Sequence, residues 1–461
     1  MNIVSKVFVF LTAVVKTLRL ALPKLGVGWM FALLTVNFNF VTIHELNVTA
    51  VAVTAMLAIH YALSPFQVVM GRVADRFPIF GLRRTPYLLI AATIASIAFL
   101  GLPSVAFGMG EGSGLAYLAG FGILITFGVC IAIMGDSHHS LIAEVTSPET
   151  RGGVISVVWT FTILSTIIAA VVFGQVMPEY NPADMQSLYN LTPFIVIISA
   201  AIGVIGIEKR LTGDELREAL ATSRRVAPEG NPIHAATTVL RENKQAWGFF
   251  AFIFVSILSI FLQDNILEPF GGEVFGMNAE QTASFQPAWG GGVLIGMMII
   301  GAVSVIFKIP KRRIALVGTI GTALGMATLA FAALTHNEAL VKPSLTFMGF
   351  FTGFFNIGAL SMMMDMTVEG ATGLYMGLWG MAQAFGNGVA SFGGGVLHTG
   401  LIETGLLSPA SAYFVIFGLE ATGMMVAGLI LVTISVEGFH TVHQTTLKRD
   451  DTILAMEASM S

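Results

Sequence analysis

Three sets of polar side chains in this sequence stand where they can do chemistry. The first is a dense charged run, GRVADRFPIFGLRRTPY, in which Gly71, Asp75 and Arg76 are followed by Gly81, Arg83 and Arg84. An aspartate at a helix end can meet the positive N-terminus of a neighbouring helix. Arginines beside it pair with carboxylates, so the run suits an ion-pair latch that holds one conformation and breaks in another. The second run, MGDSHHSLIAEVTSPETRGG, supplies a matching set: Asp136, Glu144, Arg151 and Gly152. His138 and His139 belong to this stretch and read as loop residues. The third set is scattered through apolar sequence: His60, His44, Glu45, Gln263, Asp264, Glu268 and Glu420. An ionisable group at membrane depth is costly, and for that reason a functional candidate.

Each of the scattered residues has a plainer role beside the chemical one. His60 sits mid-run, where a neutral imidazole either hydrogen-bonds a neighbouring helix or acts as a ligand. His44 and Glu45 end an apolar run, where facing water explains them equally well. Gln263, Asp264 and Glu268 precede Pro269 and Gly271–Gly272, a pattern for an irregular segment lining a cavity, since such backbone needs protein or water cover. Glu420 stands alone in the last apolar run, with Gln383 or Asn387 as a hydrogen-bonding partner. The single cysteine, Cys130, excludes an intrachain disulfide and reads as a packing residue. No nucleophile–base pair, zinc-type spacing or paired aspartates for a magnesium diphosphate appears, so the sequence describes no enzyme.

These residues are positioned by membrane-spanning elements. Of 461 residues, 55% are hydrophobic and 11% charged, against about 25% charged in soluble domains; the mean hydropathy is +0.81. At about 20 apolar residues per spanning helix, runs appear at 26–44, 48–70, 86–106, 115–134, 154–176, 191–207, 247–264, 286–307, 314–334, 344–363, 371–396 and 410–436. The expected class is an all-α membrane protein of about twelve helices in two six-helix halves. Residues 1–25 carry Lys6, Lys16, Arg19 and Lys24 among apolar positions and read as an amphipathic surface segment, not a cleaved signal. The N-terminal half is then 26–207, a linker 208–246, the C-terminal half 247–436 and a tail 437–461. Thr212 and Glu215 fit a capping box in the linker, which Pro228, Gly230 and Pro232 interrupt.

With these spans, Lys342 alone among the 23 lysines and arginines falls on the face away from the termini. The positive-inside rule then places both termini in the cytoplasm of a multi-pass inner membrane protein, cytoplasmic or photosynthetic. Small-xxx-small pairs at Gly292/Gly296, Gly321/Gly325 and Gly349/Gly353 mark close helix packing.

Six spans, a basic linker and six more spans is the layout of the major facilitator superfamily, whose halves rock about a central cavity. The first charged run resembles that superfamily's loop signature, with Phe77 to Phe80 as an expansion; the second-half counterparts, KIPKRR (Lys308 to Arg313) and Asp365 with Glu369, are weaker. RRTPY, FLQDNILEPFGGEVFGM and SMMMDMTVEGATGLYMGLWG together resemble the PucC, or bacteriochlorophyll delivery, family. That resemblance implies a non-enzymatic factor for assembly of light-harvesting complexes, with antenna polypeptides as partners beside membrane lipid and no nucleic acid. It also implies (bacterio)chlorophyll as the ligand, with His60 able to hold its magnesium, and no tightly bound cofactor. A secondary transporter of a small solute is the alternative, motivated by the two halves and the latch. Against it, the first six spans contain no mid-membrane carboxylate.

Overall fold

The computed structural model describes residues 3–442, apart from 49–51, 54–55, 58, 60–61, 64, 178–179, 227–230, 265, 278 and 283. Among the described residues the chain is helical throughout, and extended pairing is confined to an isolated bridge between Ile79 and Leu82. Two compact units result, Met1–Arg217 and Glu218–Ser461.

In the first unit, α1 (Ile3–Ala21) leads through a single turn residue into α2 (Pro23–Ala32). The chain then widens to π turns over Leu33–Phe38 and Val41–Glu45. There follow α3 (Pro65–Arg76), α4 (Thr85–Ala98), α5 (Leu102–Gly110), α6 (Gly114–Val145), α7 (Arg151–Val176), α8 (Pro182–Asn190) and α9 (Thr192–Val204). Helix α2 packs on α7 and α9, while α4 packs on α6 and α9. The core is aromatic where backbones part: Phe99 meets Phe127 at 5.2 Å, and the buried Trp29 donates to Thr192 Oγ1 at 3.1 Å. Ile90, Ile94 and Ile97, on successive turns of α4, point outward. An apolar stripe of this kind is the expected coat of a helix whose solvent is lipid.

Beyond a surface helix that bridges the boundary, α10 (Gly213–Val226), the second unit contains α11 (Pro232–Glu242), α12 (Lys244–Phe261), α13 (Leu267–Phe275), α14 (Ala279–Thr282), α15 (Phe285–Phe307), α16 (Lys311–Leu334), α17 (Val341–Asp365), α18 (Thr372–His398) and α19 (Pro409–Thr433). Helix α17 lies against both α15 and α16, and α19 against α16 and α12. Starts are set by short polar caps: Asn181, Asn231 and Asn243 each accept from the backbone two residues on, and Ser408 from Ser411. Three of the four precede a proline at the first helical position, where its missing N–H costs nothing.

Ten helices among the described residues are long and apolar enough to cross a membrane. Of the other two expected spans, 48–70 is interrupted by nine residues outside the described ones, and its end lies in α3. The other is α18, 27 residues long but diluted by glycine, Gln383 and Asn387. The N-terminal segment differs from a detached surface helix. Its C-terminal part continues into the first span with one turn residue between, and a candidate span runs from Phe10 to Ile43. Lys16 donates to Val145 O at 2.6 Å and Arg19 Nε to Ile202 O at 2.9 Å, so α1 is tied to the ends of α6 and α9.

The small-xxx-small pairs interlock. A Cβ on Gly296 would stand 2.0 Å from Phe350 O, and one on Gly349 would stand 2.1 Å from Trp289 O. Gly292 and Gly353 are similarly closed by Thr346 O and Val293 O. The glycine pairs of α15 and α17 therefore face each other, and the two backbones touch directly.

Candidate functional site

At the basic end of the first unit, one arginine gathers the charged run. Arg84 is fully buried, and its Nη2 binds Asp75 Oδ1 and, at 2.7 Å, Glu144 Oε1. Its Nε reaches the same Glu144 oxygen at 3.1 Å, and Arg83 flanks it at 3.7 Å. Burial alone would lower the Arg84 pKa, but Asp75 and Glu144 outweigh it and hold the guanidinium above its ordinary value. The guanidinium thus stays charged, while burial pushes the Asp75 carboxyl above its ordinary range even with Arg84 beside it.

The expanded loop explains how Asp75 and Arg84 meet. Ile79 and Leu82 exchange backbone hydrogen bonds at 2.9 and 3.0 Å, and the residues between them, Phe80 and Gly81, have φ of 54° and 78°. Positive φ at both central positions is the primed hairpin turn. It absorbs the added residues and returns the chain to its starting level. A Cβ on Gly81 would meet Leu211 O at 2.2 Å, while Gly81 O accepts from Leu211 N at 2.9 Å. Gly81→Ala is therefore expected to cost at least the 1–3 kcal/mol or so of an overpacked site, read as a lower Tm of the purified protein.

Glu208 was not expected from the sequence. Its carboxylate accepts from the backbone N–H of Arg83, Arg84 and Thr85, with 2.7 Å to Thr85. It caps α4 from beyond α9, placing a negative charge on a helix N-terminus. This is the helix-end contact anticipated for an aspartate, made instead by a residue more than a hundred positions away. Glu208→Gln is expected to cost about 1–2 kcal/mol, measured as the shift in thermal unfolding; an unchanged Tm would remove Glu208 from the cluster's supports.

The remaining latch residues take separate places. Gly71 and Gly152 are buried, and Arg151 donates to Ala143 O at 2.6 Å, closing the end of α6. Arg76 is half-buried, with Nε and Nη2 lacking a hydrogen-bond partner among the described residues. Asp136, two turns before Glu144, is buried and neither oxygen has such a partner. His138 and His139 are not loop residues, because α6 runs unbroken to Val145. His138 is buried and its Nε2 contacts Leu20 O at 2.7 Å. In the second unit, Lys311 pairs with Asp365, and His440 Nε2 contacts Asp365 O at 3.0 Å. A basic-end ion pair thus exists there too, built from Lys311 rather than from an Asp–Arg motif.

Among the membrane-depth candidates, His60 lies outside the described residues. His44 and Glu45 fall on the second π turn, where Glu45 is exposed. The two π turns also bury Asn37 and Thr42, and Asn37 Oδ1 and Thr42 Oγ1 have no hydrogen-bond partner among the described residues. The NFNF run in an apolar span was the signal for it, and π turns often mark function.

Pro269 does not break the seventh span. The helix ends at Phe261, and Pro269 sits in the first turn of α13, where proline is tolerated. The turn residues are instead Leu262–Asp264 and Ile266, which include Gln263 and Asp264; Glu268 lies in α13's first turn. Gln263 is buried, donates to Met348 Sδ at 3.6 Å and leaves Oε1 without a donor among the described residues. Glu420 is 1% exposed and, contrary to the expected pairing, hydrogen-bonds neither Gln383 nor Asn387. Gln383 donates to Met363 Sδ at 3.6 Å instead. Below Glu420 on α19, Tyr413 donates to Glu273 at 3.0 Å, and His398 contacts the same carboxylate at 3.0 Å.

A model of the PUCC protein family matches residues 37–439. The chain is 31% identical over 423 residues to the "Bacteriochlorophyll synthase 44.5 kDa chain" of Rhodobacter capsulatus, covering 89% of this chain and 93% of that one. It is 26% identical over 428 residues to protein PucC of Cereibacter sphaeroides, covering 90% and 91%. Among solved structures it is similar to the E. coli fucose:proton symporter, with a TM-score of 0.69, 13% identity and coverage of 92% and 98%. A proton:xylose symporter of the major facilitator superfamily gives 0.67, 14% identity and coverage of 95% and 99%. These structural likenesses carry the fold: this is a multi-pass membrane protein with the major facilitator architecture.

Proposed function

The chain belongs to the PUCC protein family, and from that membership we propose that it is a non-enzymatic assembly factor for light-harvesting complexes, delivering (bacterio)chlorophyll to antenna polypeptides. The end-to-end match to relatives, one named for bacteriochlorophyll and others named PucC, supports the reading most directly. The pigment is cargo, not a resident cofactor, and His60 is the proposed magnesium ligand on sequence pattern alone. The basic end, with α1, faces the cytoplasm by the positive-inside rule. There the Asp75–Arg84–Glu144 cluster acts as a latch, a buried ion pair that must be broken or kept as the protein changes state.

Deletion of the gene in a photosynthetic host is expected to lower the antenna absorbance severalfold relative to the membrane protein content. Antenna complexes at the parental level would sink the proposal. A second reading, a secondary transporter of a small solute, is favoured by the fold shared with two proton symporters. Its mark would be solute uptake into proteoliposomes that Asp75→Asn abolishes.

A further inference from the structure

The helix break after α12 and the facing part of α19 form a group of oxygen acceptors that lacks donors. The two helices pack against each other. Gly423 sits against Ser259, where a Cβ would approach Ser259 Oγ to 2.2 Å. One turn from that contact on α19 stands Glu420, and four residues past Ser259, just beyond the end of α12, stands Gln263, in an antiparallel pair whose other end joins Gln245 to Ser435. Both oxygens of Glu420 and the amide oxygen of Gln263 are without hydrogen-bond donors among the described residues. Exposures of 1% and 3% keep bulk water from both. Beyond Phe261 the chain leaves the helix in hydrogen-bonded turns, and the exposed Asp264 follows Gln263 directly there.

An ionised carboxylate in such a place would be several kcal/mol or more out of balance. No cation faces it. The charged and titratable groups presented by the elements around α19 are Asp264, and further along the helix Glu273 with His398 and Tyr413; the basic residues of α16 lie at the other end, where Arg312 donates to Val432 O. No group of three or more metal-ligating side chains occurs among the described residues, which leaves a proton as the species that neutralises the site.

We propose that Glu420 is a proton-exchange site: it carries a proton that Gln263 Oε1 helps to accommodate, loads and releases it through Asp264, and thereby couples changes of state in the second unit to protonation. The step is a proton moving between water, the Asp264 carboxylate and the Glu420 carboxylate, with no other bond changed. A discontinuous helix at membrane depth is the setting in which transporters commonly place coupling ions. The inference does not depend on whether the cargo is a pigment.

Infrared spectroscopy of the full-length protein in lipid tests it. The wild type is expected to show a carboxylic acid carbonyl band that shifts in D2O and vanishes as pH is raised, and Glu420→Gln is expected to lack it. The isosteric amide should keep the fold, seen as an unchanged elution profile and a Tm no lower than wild type. Asp264→Asn should keep the band but slow its shift in D2O severalfold. A wild-type minus Glu420→Gln difference spectrum without that band, so that what remains belongs to other buried carboxyls such as Asp136, or no such band in the wild type at any pH, overturns the proposal. So does loss of the band on adding sodium at constant pH, which would make the site one for a metal cation. An unchanged exchange rate in Asp264→Asn overturns the role of Asp264.

Discussion

Arg84→Met is expected to destabilise the first unit by about 3–5 kcal/mol, the range for breaking a buried ion pair by removing one partner. The reason is specific to the geometry. Asp75 is 2% exposed and would be left with an uncompensated charge, while Glu144 would lose two close contacts. The measurement is thermal or denaturant unfolding of the purified protein in detergent. Adding Asp75→Asn to Arg84→Met is expected to recover part of the loss, because it removes the stranded carboxylate. The cycle should then show coupling of about 0.5–3 kcal/mol. Strictly additive losses would mean that Asp75 and Arg84 do not act as a pair, and the latch would lose its centre.

The second large effect concerns glycine. Gly349→Leu is expected to prevent folding of the second unit, with expression lost or aggregated, since its Cβ alone would stand 2.1 Å from Trp289 O. Backbone cannot step aside as a side-chain tip can, so α15 and α17 would have to separate. Gly349→Ala already adds a methyl where no space exists and should cost about 1–3 kcal/mol or more. Gly395, on α18, has nothing within 4 Å of its would-be Cβ. There Gly395→Ala is expected to be neutral or stabilising by up to about 1 kcal/mol, from helix propensity alone. Equal effects at the two positions would refute close backbone packing as the cause.

Spans of about twenty apolar residues announce themselves in composition, which is why the two-halves helical architecture could be read from the chain. Asp75, Arg84 and Glu144 were legible as a set because charges are rare here and these cluster. Glu208 was not, because it reaches its helix end from across the unit and nothing near Arg83 points to it. Lys311 with Asp365 was missed for the same reason, since 54 residues separate them. Pro269 misled in a different way: proline signals both the end of one helix and the first turn of another. The helix instead gives way to turns at Leu262–Asp264. His138 and His139 looked like loop because they fall beside the charged turn; the helix runs on past them to Val145, with His138 Nε2 against Leu20 O.

The tether on α1 has a consequence for how the chain is made. Lys16 finds its acceptor 129 residues later, at Val145, and Arg19 finds one 183 residues later, at Ile202. Synthesis runs from the N-terminus, so these two side chains emerge among the first and wait longest for their partners. Lys16 has no acceptor until the fourth span is complete, and Arg19 has none until the sixth has left the ribosome. The first segment translated is among the last to be seated, and its docking marks the moment when the first half is complete.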